Sequence, residues 1–345
     1  MNPEITTLIY IQTAASCLML HRVRRNHDLN RGKWIGLGGH LESGESPEDC
    51  VRRETLEESG LTLGRIFFRG LVTFVYEGDG EQKTELMFLF TGSSFDGNLT
   101  DCDEGVLAWV PKEKIPSLNL WEGDRIFLRL LTEKIPFFSL KLHYVGDRLA
   151  SAILNEKPME LLDIRNEDGS LTGMTRERAA AHETGALHGT SHVWIARQTP
   201  EGPKLLLQKR SEDKDSFPGC YDISSAGHLP AGSDFLPSAL RELHEELGIN
   251  ARAEDLLPIG VHRGDYTGSF YGRNYHNREY SKVYLYRKPV RIEDLTLQKG
   301  EVDSVRWFPL SEVLKAAHTQ NPDFCLQEDE VQMVADALQK PGVLS

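Results

Sequence analysis

A 24-residue segment occurs twice in this chain, without insertion or deletion, at a constant spacing of 188 residues. The first copy runs from Gly38 to Leu61 and the second from Ala226 to Ile249. Solenoid and propeller repeats have periods of roughly 20–50 residues, so a spacing this long excludes them. The repeat therefore predicts a duplicated or fused domain, and 345 residues suit two domains of about 150 residues each.

The surroundings of the two copies repeat as well. A strand–turn–strand pattern that closes on a basic residue precedes each copy, at residues 7–22 and 192–210. After each copy come an acidic turn, a strand that ends in proline and then a helical pattern. We place the boundary in the stretch 150–159, which predicts domains at residues 1–152 and 153–345. The second half opens with a predicted hairpin that turns at residues 167–169.

Charge and cysteine content limit the partners of the chain. Lys and Arg number 39 against 52 Asp and Glu, so the net charge of −13 argues against a nucleic-acid polymer as partner. A small phosphorylated ligand is still compatible with this net charge if metal ions mask the negative charge around its binding site. Five scattered cysteines without a CxxC pair indicate a reducing compartment, and no apolar stretch approaches the roughly 18 residues of a membrane span. We expect a cytoplasmic protein without a membrane partner, and homodimer formation stays open.

Each copy centres on the pattern R-E-x-x-E-E-x-G, which is typical of an acidic helix face. In the first copy, Ser46 is a candidate N-cap, Gly60 a candidate C-cap, and residues 47–59 a predicted helix. Glutamates three and four positions apart share one helix face and repel each other by about 0.2–0.5 kcal/mol per pair. The candidate metal ligands are Glu54, Glu57 and Glu58 in the first copy and Glu242, Glu245 and Glu246 in the second.

Hard carboxylate oxygens without Cys or His suit Mg²⁺, with Mn²⁺ as the alternative ion. A solvated acidic face is the alternative for a single such pattern, but its double occurrence with the same flanking residues favours metal binding. Glycines before the helix allow the backbone to approach a metal or a phosphate closely. We assign Gly39 to the metal and Gly38 to the substrate. Arg53 and Arg241 are predicted to hold the carboxylates in position.

At these residues the sequence resembles the Nudix superfamily, whose box is G-x5-E-x7-R-E-U-x-E-E-x-G-U, where U is apolar. The first copy departs from it only at Thr55, and the second has Ser233 in place of the first Glu. The resemblance covers almost the whole chain. It implies two tandem α/β folds, each a mixed-sheet α/β/α sandwich, and Mg²⁺-dependent hydrolysis of a nucleoside diphosphate linked to another group.

In such enzymes the box glutamates hold the metal, and one of them acts as the base or positions the attacking water. The resemblance therefore gives catalytic roles to Glu54, Glu57, Glu242 and Glu245. An extra acidic ligand often comes from a later loop, a position that Glu104 and Glu301 match in the two halves. The alternative for both is an exposed acid before a strand.

The first half closely resembles bacterial 8-oxo-dGTP diphosphatases of the MutT/MutX type, through stretches such as GKWIGLGGHLESGE and LWEGDRIFLRLL. The resemblance implies that Trp121 walls the purine, that Asp124 reads its edge and that Arg22 reaches the phosphates. The animal enzymes carry a second acid where this chain has Gly123, which leaves the base selectivity open. Trp121 as a core aromatic that closes a helix is the alternative.

The second half resembles the isopentenyl-diphosphate-isomerase-like branch of the superfamily. True isomerases need a cysteine just before the Gly-His of the box, where this chain has Ser225-Ala226, and Cys220 lies too early. A diphosphate hydrolase of unidentified substrate is therefore expected, with Lys209, Arg210 and Lys214 as basic groups near the diphosphate. Three histidines, His182, His188 and His228, resemble the metal-binding histidines of the isomerases.

Three alternatives stay open at this point. The first half acts on another nucleotide, such as a dinucleoside polyphosphate or ADP-ribose. The second half binds a nucleotide and regulates without cleaving, an idea that Ser233 motivates. The histidines of the second half are structural or solvent-facing rather than metal ligands.

Overall fold

The computed structural model describes residues 3–25, 28–78, 80–133 and 135–340. It divides the chain into two compact units, a first unit of residues 1–161 with 174–180, and a second unit of residues 162–173 with 181–345. The boundary near residue 152 that the sequence suggests stays a prediction.

The first unit is built from eleven strands and two helices among the described residues. Its strands are β1 (Glu4–Ile11), β2 (Ser16–Arg22), β3 (Trp34–Ile35), β4 (Thr62–Leu63), β5 (Ile66–Gly78), β6 (Glu81–Gly92), β7 (Phe95–Asp96), β8 (Gly105–Pro111), β9 (Phe138–Val145), β10 (Arg148–Leu154) and β11 (Lys157–Pro158). Its helices are α1 (Pro47–Ser59) and α2 (Glu122–Thr132), and a 3₁₀ turn covers Lys112–Ser117.

The main sheet of the first unit is mixed. Its strand order is β1-β6-β5-β9-β10-β11, in which β1 runs parallel to β6 and β5 parallel to β9, while the other neighbours are antiparallel. A smaller antiparallel sheet has the order β3-β2-β8. Val51 of α1 joins a core with Ile9 and Leu20, and Phe127 of α2 lies 6.1 Å from Tyr10 of β1, measured between ring centroids. Helices thus cover the sheets, as the predicted α/β class requires.

Helix α1 has the bounds and caps that the sequence predicts. Ser46 accepts a hydrogen bond from the backbone N–H of Asp49, and the Asp49 carboxylate accepts one from the backbone N–H of Ser46, which completes a capping box. Pro47 occupies the first turn, where a missing N–H costs nothing. Gly60 ends the helix in the left-handed conformation, at a φ of 73°.

The second unit contains nine strands and four helices in the part of the chain that is described. Its strands are β12 (Leu161–Arg165), β13 (Leu171–Glu177), β14 (His188–Thr199), β15 (Gly202–Arg210), β16 (Tyr221–Asp222), β17 (Ser225–His228), β18 (Leu256–Phe270), β19 (Arg273–Tyr286) and β20 (Val302–Pro309). Its helices are α3 (Arg178–Thr184), α4 (Phe235–Leu247), α5 (Leu310–His318) and α6 (Glu328–Leu338). The first residue of β12, the end of β13 and the start of α3 fall in the first unit.

Strand β14 is the hub of the second unit. It pairs with β15 and β17 antiparallel and with β19 parallel, and β18 and β19 form a long hairpin. Its alternating side chains enter two cores, Val193 and Ile195 on the α4 side and Trp194 and Ala196 on the side of α5 and α6. Helices therefore cover both faces of a mixed sheet, which confirms the predicted sandwich.

Among the residues with described positions, no helix combines the length and the apolar character that crossing a lipid bilayer requires.

Candidate active sites

The acidic face of α1 is organised by one arginine. Arg53 donates to both carboxylate oxygens of Glu45, at 2.7 Å from Nε and 3.0 Å from Nη2. Its Nη1 donates to Glu54 at 2.8 Å and to Glu57 at 3.2 Å. The hydrogen bonds from Arg53 lower the pKa of Glu45 to about 2. Arg53 thus holds two of the three candidate metal ligands through Nη1, while its planar two-pronged pairing with Glu45 fixes the guanidinium itself.

The third carboxylate of this face, that of Glu58, is buried. It accepts a hydrogen bond from the backbone N–H of Gly38 at 2.9 Å. Burial raises the pKa of Glu58 to about 7, and the neighbouring Glu54 charge adds to the rise. A cation bound beside these glutamates favours their ionised forms, so the site is electrostatically prepared for positive charge.

Two glycines bring the backbone against the glutamates. A Cβ at Gly39 would lie 2.5 Å from the Glu54 carboxyl carbon, and a Cβ at Gly38 would lie 2.1 Å from the carbonyl oxygen of Thr7. Gly38 also has a φ of +147°, which side-chain-bearing residues rarely adopt. The Gly39 carbonyl accepts a hydrogen bond from Thr7 N–H at 2.9 Å. Any side chain at Gly39 would fill the space in which Glu54 sits.

Glu104 and Arg22 are brought together beside α1. Arg22 forms an ion pair with Glu104 and another with Asp28 at 2.7 Å, and Arg25 pairs with Glu104 at 2.7 Å. Both arginines lower the pKa of Glu58, which places their charges near the box. Glu104, assigned to the metal, and Arg22, assigned to the phosphates, thus neutralise each other here. A bound cation can take the place of Arg22 beside Glu104, and a polyphosphate can take the place of Glu104 beside Arg22.

The predicted purine-binding residues meet at the start of α2. Trp121 donates from Nε1 to Asn30 at 2.8 Å, and the Lys33 ammonium lies 4.6 Å from its ring centroid. Asp124 is buried, and burial raises the pKa of its carboxyl to about 8 against the opposing effect of Lys33. A neutral carboxyl can donate one hydrogen bond and accept another. A site that recognises the edge of a base can use both.

Side chains of β9 lie close to Gly123, the position at which the animal enzymes carry a second acid. A Cβ at Gly123 would lie 2.4 Å from a methyl carbon of Leu142 and 2.8 Å from the hydroxyl oxygen of Tyr144. The Gly123 backbone N–H donates to that hydroxyl at 2.7 Å. A side chain at position 123 would therefore have to displace the ends of the Leu142 and Tyr144 side chains, and Asp124 is the acid present at this pair of positions.

The second box repeats this geometry on α4. Arg241 donates to Glu242 at 2.7 Å and to Glu245 at 2.8 Å. Glu246 is buried beside the backbone N–H of Ala226, at 3.2 Å, and burial raises its pKa to about 8. A Cβ at Gly227 would lie 2.1 Å from the Glu242 carboxyl carbon. The same carboxylate face and the same glycine contact therefore exist in both units.

One difference separates the two boxes. Ser233 stands where Glu45 binds Arg53, so Arg241 lacks the two-pronged carboxylate partner of the first box. The Arg241 side chain is 38% exposed, against 23% for Arg53. Arg241 is consequently held by fewer charge-assisted hydrogen bonds, and the carboxylates of the second box are less firmly positioned.

The other predicted residues of the second unit have partners of their own. Glu301 forms an ion pair with Lys214, which parallels the pairing of Glu104 in the first unit. Arg210 donates to Asp222 at 2.9 Å and to the Ser216 carbonyl at 3.1 Å, so the fold already uses its guanidinium. Lys209 lies on β15 opposite Tyr221 and Ser304. To bind a diphosphate, the Arg210 guanidinium must give up its hydrogen bonds to Asp222 and Ser216.

Three histidines meet at the end of β14 next to the box. The Nε2 atoms of His182 and His228 lie 3.3 Å apart, and the ring centroids of His188 and His228 lie 5.1 Å apart. The candidate ligand atoms of all three lie within 4.8 Å of one another. Their joint metal role stays a prediction. Burial raises the pKa of the Cys220 thiol, so this cysteine is not an activated nucleophile.

Sequence reasoning missed a second group of titratable side chains in the second unit. His192, His262 and Glu330 are all buried and also place their candidate ligand atoms within 4.8 Å of one another. They come from two strands and a helix far apart in the chain. The only sequence signal is His192 four residues after His188, on the same face of a strand.

The carboxylate faces fit the ion that the sequence suggests. Each face offers three carboxylates and a glycine loop in contact with one of them. Oxygen-only donor sets suit Mg²⁺ and Mn²⁺. The residues present therefore fit such an ion in both units.

A family model described as the NUDIX domain matches residues 3–131 and 189–326. The chain is 38% identical over 167 residues to Nudix hydrolase 3 of Arabidopsis thaliana, a match that covers 48% of this chain and 21% of that protein. An uncharacterized Nudix hydrolase of Clostridium acetobutylicum is 38% identical over 143 residues, with 41% of this chain and 66% of that protein covered. The chain thus spans about a fifth and just under two thirds of these two relatives.

Other similar proteins have more specific names. The oxidized purine nucleoside triphosphate hydrolase of Danio rerio is 36% identical over 108 residues, which cover 31% of this chain and 67% of that protein. Among solved structures, a MutT protein from Bacillus halodurans aligns with a TM-score of 0.41 and 26% identity, over 45% of this chain and 99% of that one.

Proposed function

The chain belongs to the NUDIX family, with one domain in each half, and from this premise we propose that its first domain hydrolyses oxidised purine nucleoside triphosphates. The proposed reaction converts 8-oxo-dGTP to 8-oxo-dGMP and diphosphate. The observation that carries it is the buried Asp124 beside Trp121, in the same unit as a complete box. Similarity to the zebrafish enzyme over 108 residues supports the proposal.

Arg53 orients Glu54 and Glu57 as the proposed ligands of Mg²⁺, with Glu58, Glu104 and the Gly39 carbonyl as further ligands. When bound, the ion supplies Lewis acidity toward the phosphate oxygens and lowers the pKa of water. Glu54 and Glu57 are the proposed groups that position the attacking water and take up its proton.

Substrate binding uses a second set of groups in the first domain. Arg22, released from Glu104, is proposed to bind the phosphates, and Gly38 lets the backbone approach them. Asp124 in its neutral form donates a hydrogen bond to the base, while Trp121 covers the ring. A site with a fixed buried donor discriminates strongly against bases that leave it unpaired.

The second domain is proposed to be a hydrolase of an unidentified diphosphate. We keep residues 1–152 and 153–345 as the proposed extents of the two domains, because both family matches lie inside them. The serine at position 233 favours a second candidate, a nucleotide-binding module without turnover, since Arg241 is less firmly held than Arg53. The proposal keeps the resemblance of this half to the isomerase-like branch. It also keeps the cytoplasmic location of the protein, which five free cysteines suggest.

The test compares kcat/KM for 8-oxo-dGTP with kcat/KM for dGTP, using the full chain and Mg²⁺. We expect a ratio above about fivefold, because a hydrogen bond that only one of the two bases makes is worth about 1 kcal/mol or more. Glu54→Gln serves as the control that assigns the turnover to the first domain. A ratio near one contradicts the assignment to oxidised purines, and dinucleoside polyphosphates and ADP-ribose are then the substrates to assay.

A further inference from the structure

One face of the central sheet in the second unit collects histidines from two strands. Alternation along β14 places His188, Thr190 and His192 on the same face. Strand β19 lies between β14 and β18, with Ser281 opposite both Thr190 and His262. His192 and His262 therefore project from the same side of the sheet, toward α6. This helix covers that side and contributes Glu330.

The three side chains converge on a small volume. His192 Nδ1 lies 3.0 Å from both carboxylate oxygens of Glu330, and His262 Nδ1 lies 3.3 Å from Glu330 Oε2. Two ligands of a tetrahedral zinc ion, each about 2.0–2.1 Å from the metal, are separated by about 3.3 Å. The separations of the two histidines from Glu330 are close to this spacing, and all three candidate ligand atoms lie within 4.8 Å of one another.

Outer contacts orient every member of this group. His192 Nε2 lies 3.6 Å from Glu279, and His262 Nε2 lies 3.1 Å from Asp329. Trp194 Nε1 donates to Glu330 Oε1 at 2.8 Å. Histidines that bind a metal through one ring nitrogen usually donate the other N–H to a carboxylate or carbonyl. His262 shows this arrangement through Asp329, while His192 Nε2 faces the Glu279 carboxylate at an ion-pair distance, and both Nδ1 atoms are turned inward.

The inner nitrogen of His262 is a second, independent sign of a missing ligand. The His262 residue is 4% exposed, and its Nδ1 has no hydrogen-bond partner within the described part of the chain, since its contact with Glu330 lacks hydrogen-bond geometry. An unsatisfied buried nitrogen costs about 1–3 kcal/mol. A metal ion at the point toward which this nitrogen is directed removes that cost.

From this geometry we propose that His192, His262 and Glu330 form a zinc site, separate from the carboxylate faces of the two boxes. Two imidazoles and one carboxylate are a donor set of zinc proteins, and the fourth position is left to water. The site is buried on all three ligands, so its role is to bind α6 to strands β14 and β18 rather than to meet substrate.

The local charge supports a cation here. Three carboxylates, of Glu279, Asp329 and Glu330, surround the two imidazoles. The carboxylates thus demand positive charge at this point, which a divalent ion supplies more fully than a proton.

The test measures zinc in the full chain. Protein stripped with a chelator is loaded with ZnCl₂ in excess Mg²⁺, freed of unbound metal, and analysed by mass spectrometry for zinc per chain. We expect Glu330→Gln to hold one zinc ion fewer than the wild type. Glu328→Gln, an exposed change on the same helix, is the matched control and should hold as many ions as the wild type.

Equal zinc content in wild type and Glu330→Gln overturns the proposal and leaves a metal-free ion-pair network. If the variant fails to fold, crystals of the zinc-loaded wild type decide the question through anomalous scattering at the zinc edge. A peak between His192, His262 and Glu330 supports the site. Anomalous density confined to His182, His188 and His228 or to the boxes, or its complete absence, refutes it. Neither result depends on the substrate proposed for either domain.

Discussion

At the scale of single residues, burial rather than identity separates the glutamates of each box. Glu57 and Glu245 are 59% and 44% exposed in their side chains, whereas Glu58 and Glu246 are buried. Burial raises the pKa of Glu58 to about 7 and that of Glu246 to about 8. The buried member of each box therefore gains most from a bound cation.

The pKa of Asp124, raised to about 8 by burial, predicts a pH-dependent substrate affinity. Below pH 8 the carboxyl is neutral and donates a hydrogen bond, and above pH 8 it only accepts. We expect KM for 8-oxo-dGTP to rise as the pH increases through 8 in the wild type. Asp124→Asn donates at every pH, so its KM should stay flat between pH 6 and 9. Parallel profiles for the two proteins contradict the donor role.

The raised pKa of Asp124 also makes the free energy of unfolding depend on pH. An acid whose folded pKa exceeds its unfolded pKa binds more protons when folded, so its contribution to stability falls between about pH 4 and pH 8 and is constant above. Each pKa unit corresponds to about 1.4 kcal/mol. The free energy of unfolding of Asp124→Asn relative to wild type should accordingly increase over that pH range.

At the scale of elements, the two box helices end alike but begin differently. Both stop at a left-handed glycine, Gly60 and Gly248. Helix α1 starts with a complete capping box at Ser46, whereas the N-cap of α4, Asp234, makes no side-chain cap hydrogen bond within the described structure. The start of α1 is therefore more strongly defined than that of α4.

We expect Ser46→Ala to lower the free energy of opening of α1 by about 1 kcal/mol, the usual cost of a lost N-cap. Asp234→Ala, the matched change on α4, should cost less because it removes no cap bond. Hydrogen exchange of peptides that cover each helix, measured by mass spectrometry in the full chain, reports both values. Equal losses of protection in the two helices contradict the capping argument.

Local patterns found some elements and missed others. Capping residues and helix formers located α1, and apolar alternation located β1, β2, β14 and β15. The long β18–β19 hairpin was only partly recognised, because its outer half alternates between half-exposed polar and aromatic residues instead of a clear apolar pattern. Helix α5 was missed because its nine residues are fewer than the roughly 11–18 over which helical periodicity is read.

At the scale of the whole molecule, the chain carries two boxes with the same carboxylate face. If both domains are enzymes, each should lose only its own reaction when its own box is changed. We expect Glu54→Gln to reduce turnover of the first domain's substrate by about 100-fold or more, while Glu242→Gln leaves it unchanged. Assays of both full-length variants over nucleotides and prenyl diphosphates provide the measurement.

The outcome also decides the role of the second domain. A substrate lost only in Glu242→Gln identifies that domain as an active hydrolase. If Glu54→Gln alone abolishes all turnover, the second domain is a binding or regulatory module, as the replacement of Glu45 by Ser233 suggests. Loss of the first domain's reaction in Glu242→Gln contradicts independent sites.

The repeat and the order of its flanking elements are enough to predict two domains of the α/β class, and spacing along one helix predicts which glutamates share a side. How those groups behave depends on contacts in three dimensions. Burial of Glu58 and Asp124 and the pairing of Arg22 with Glu104 depend on elements far apart in the chain. The same holds for His192, His262 and Glu330, which two strands and a helix bring together. Desolvation and coordination both depend on distances in space, which a one-dimensional spacing cannot supply.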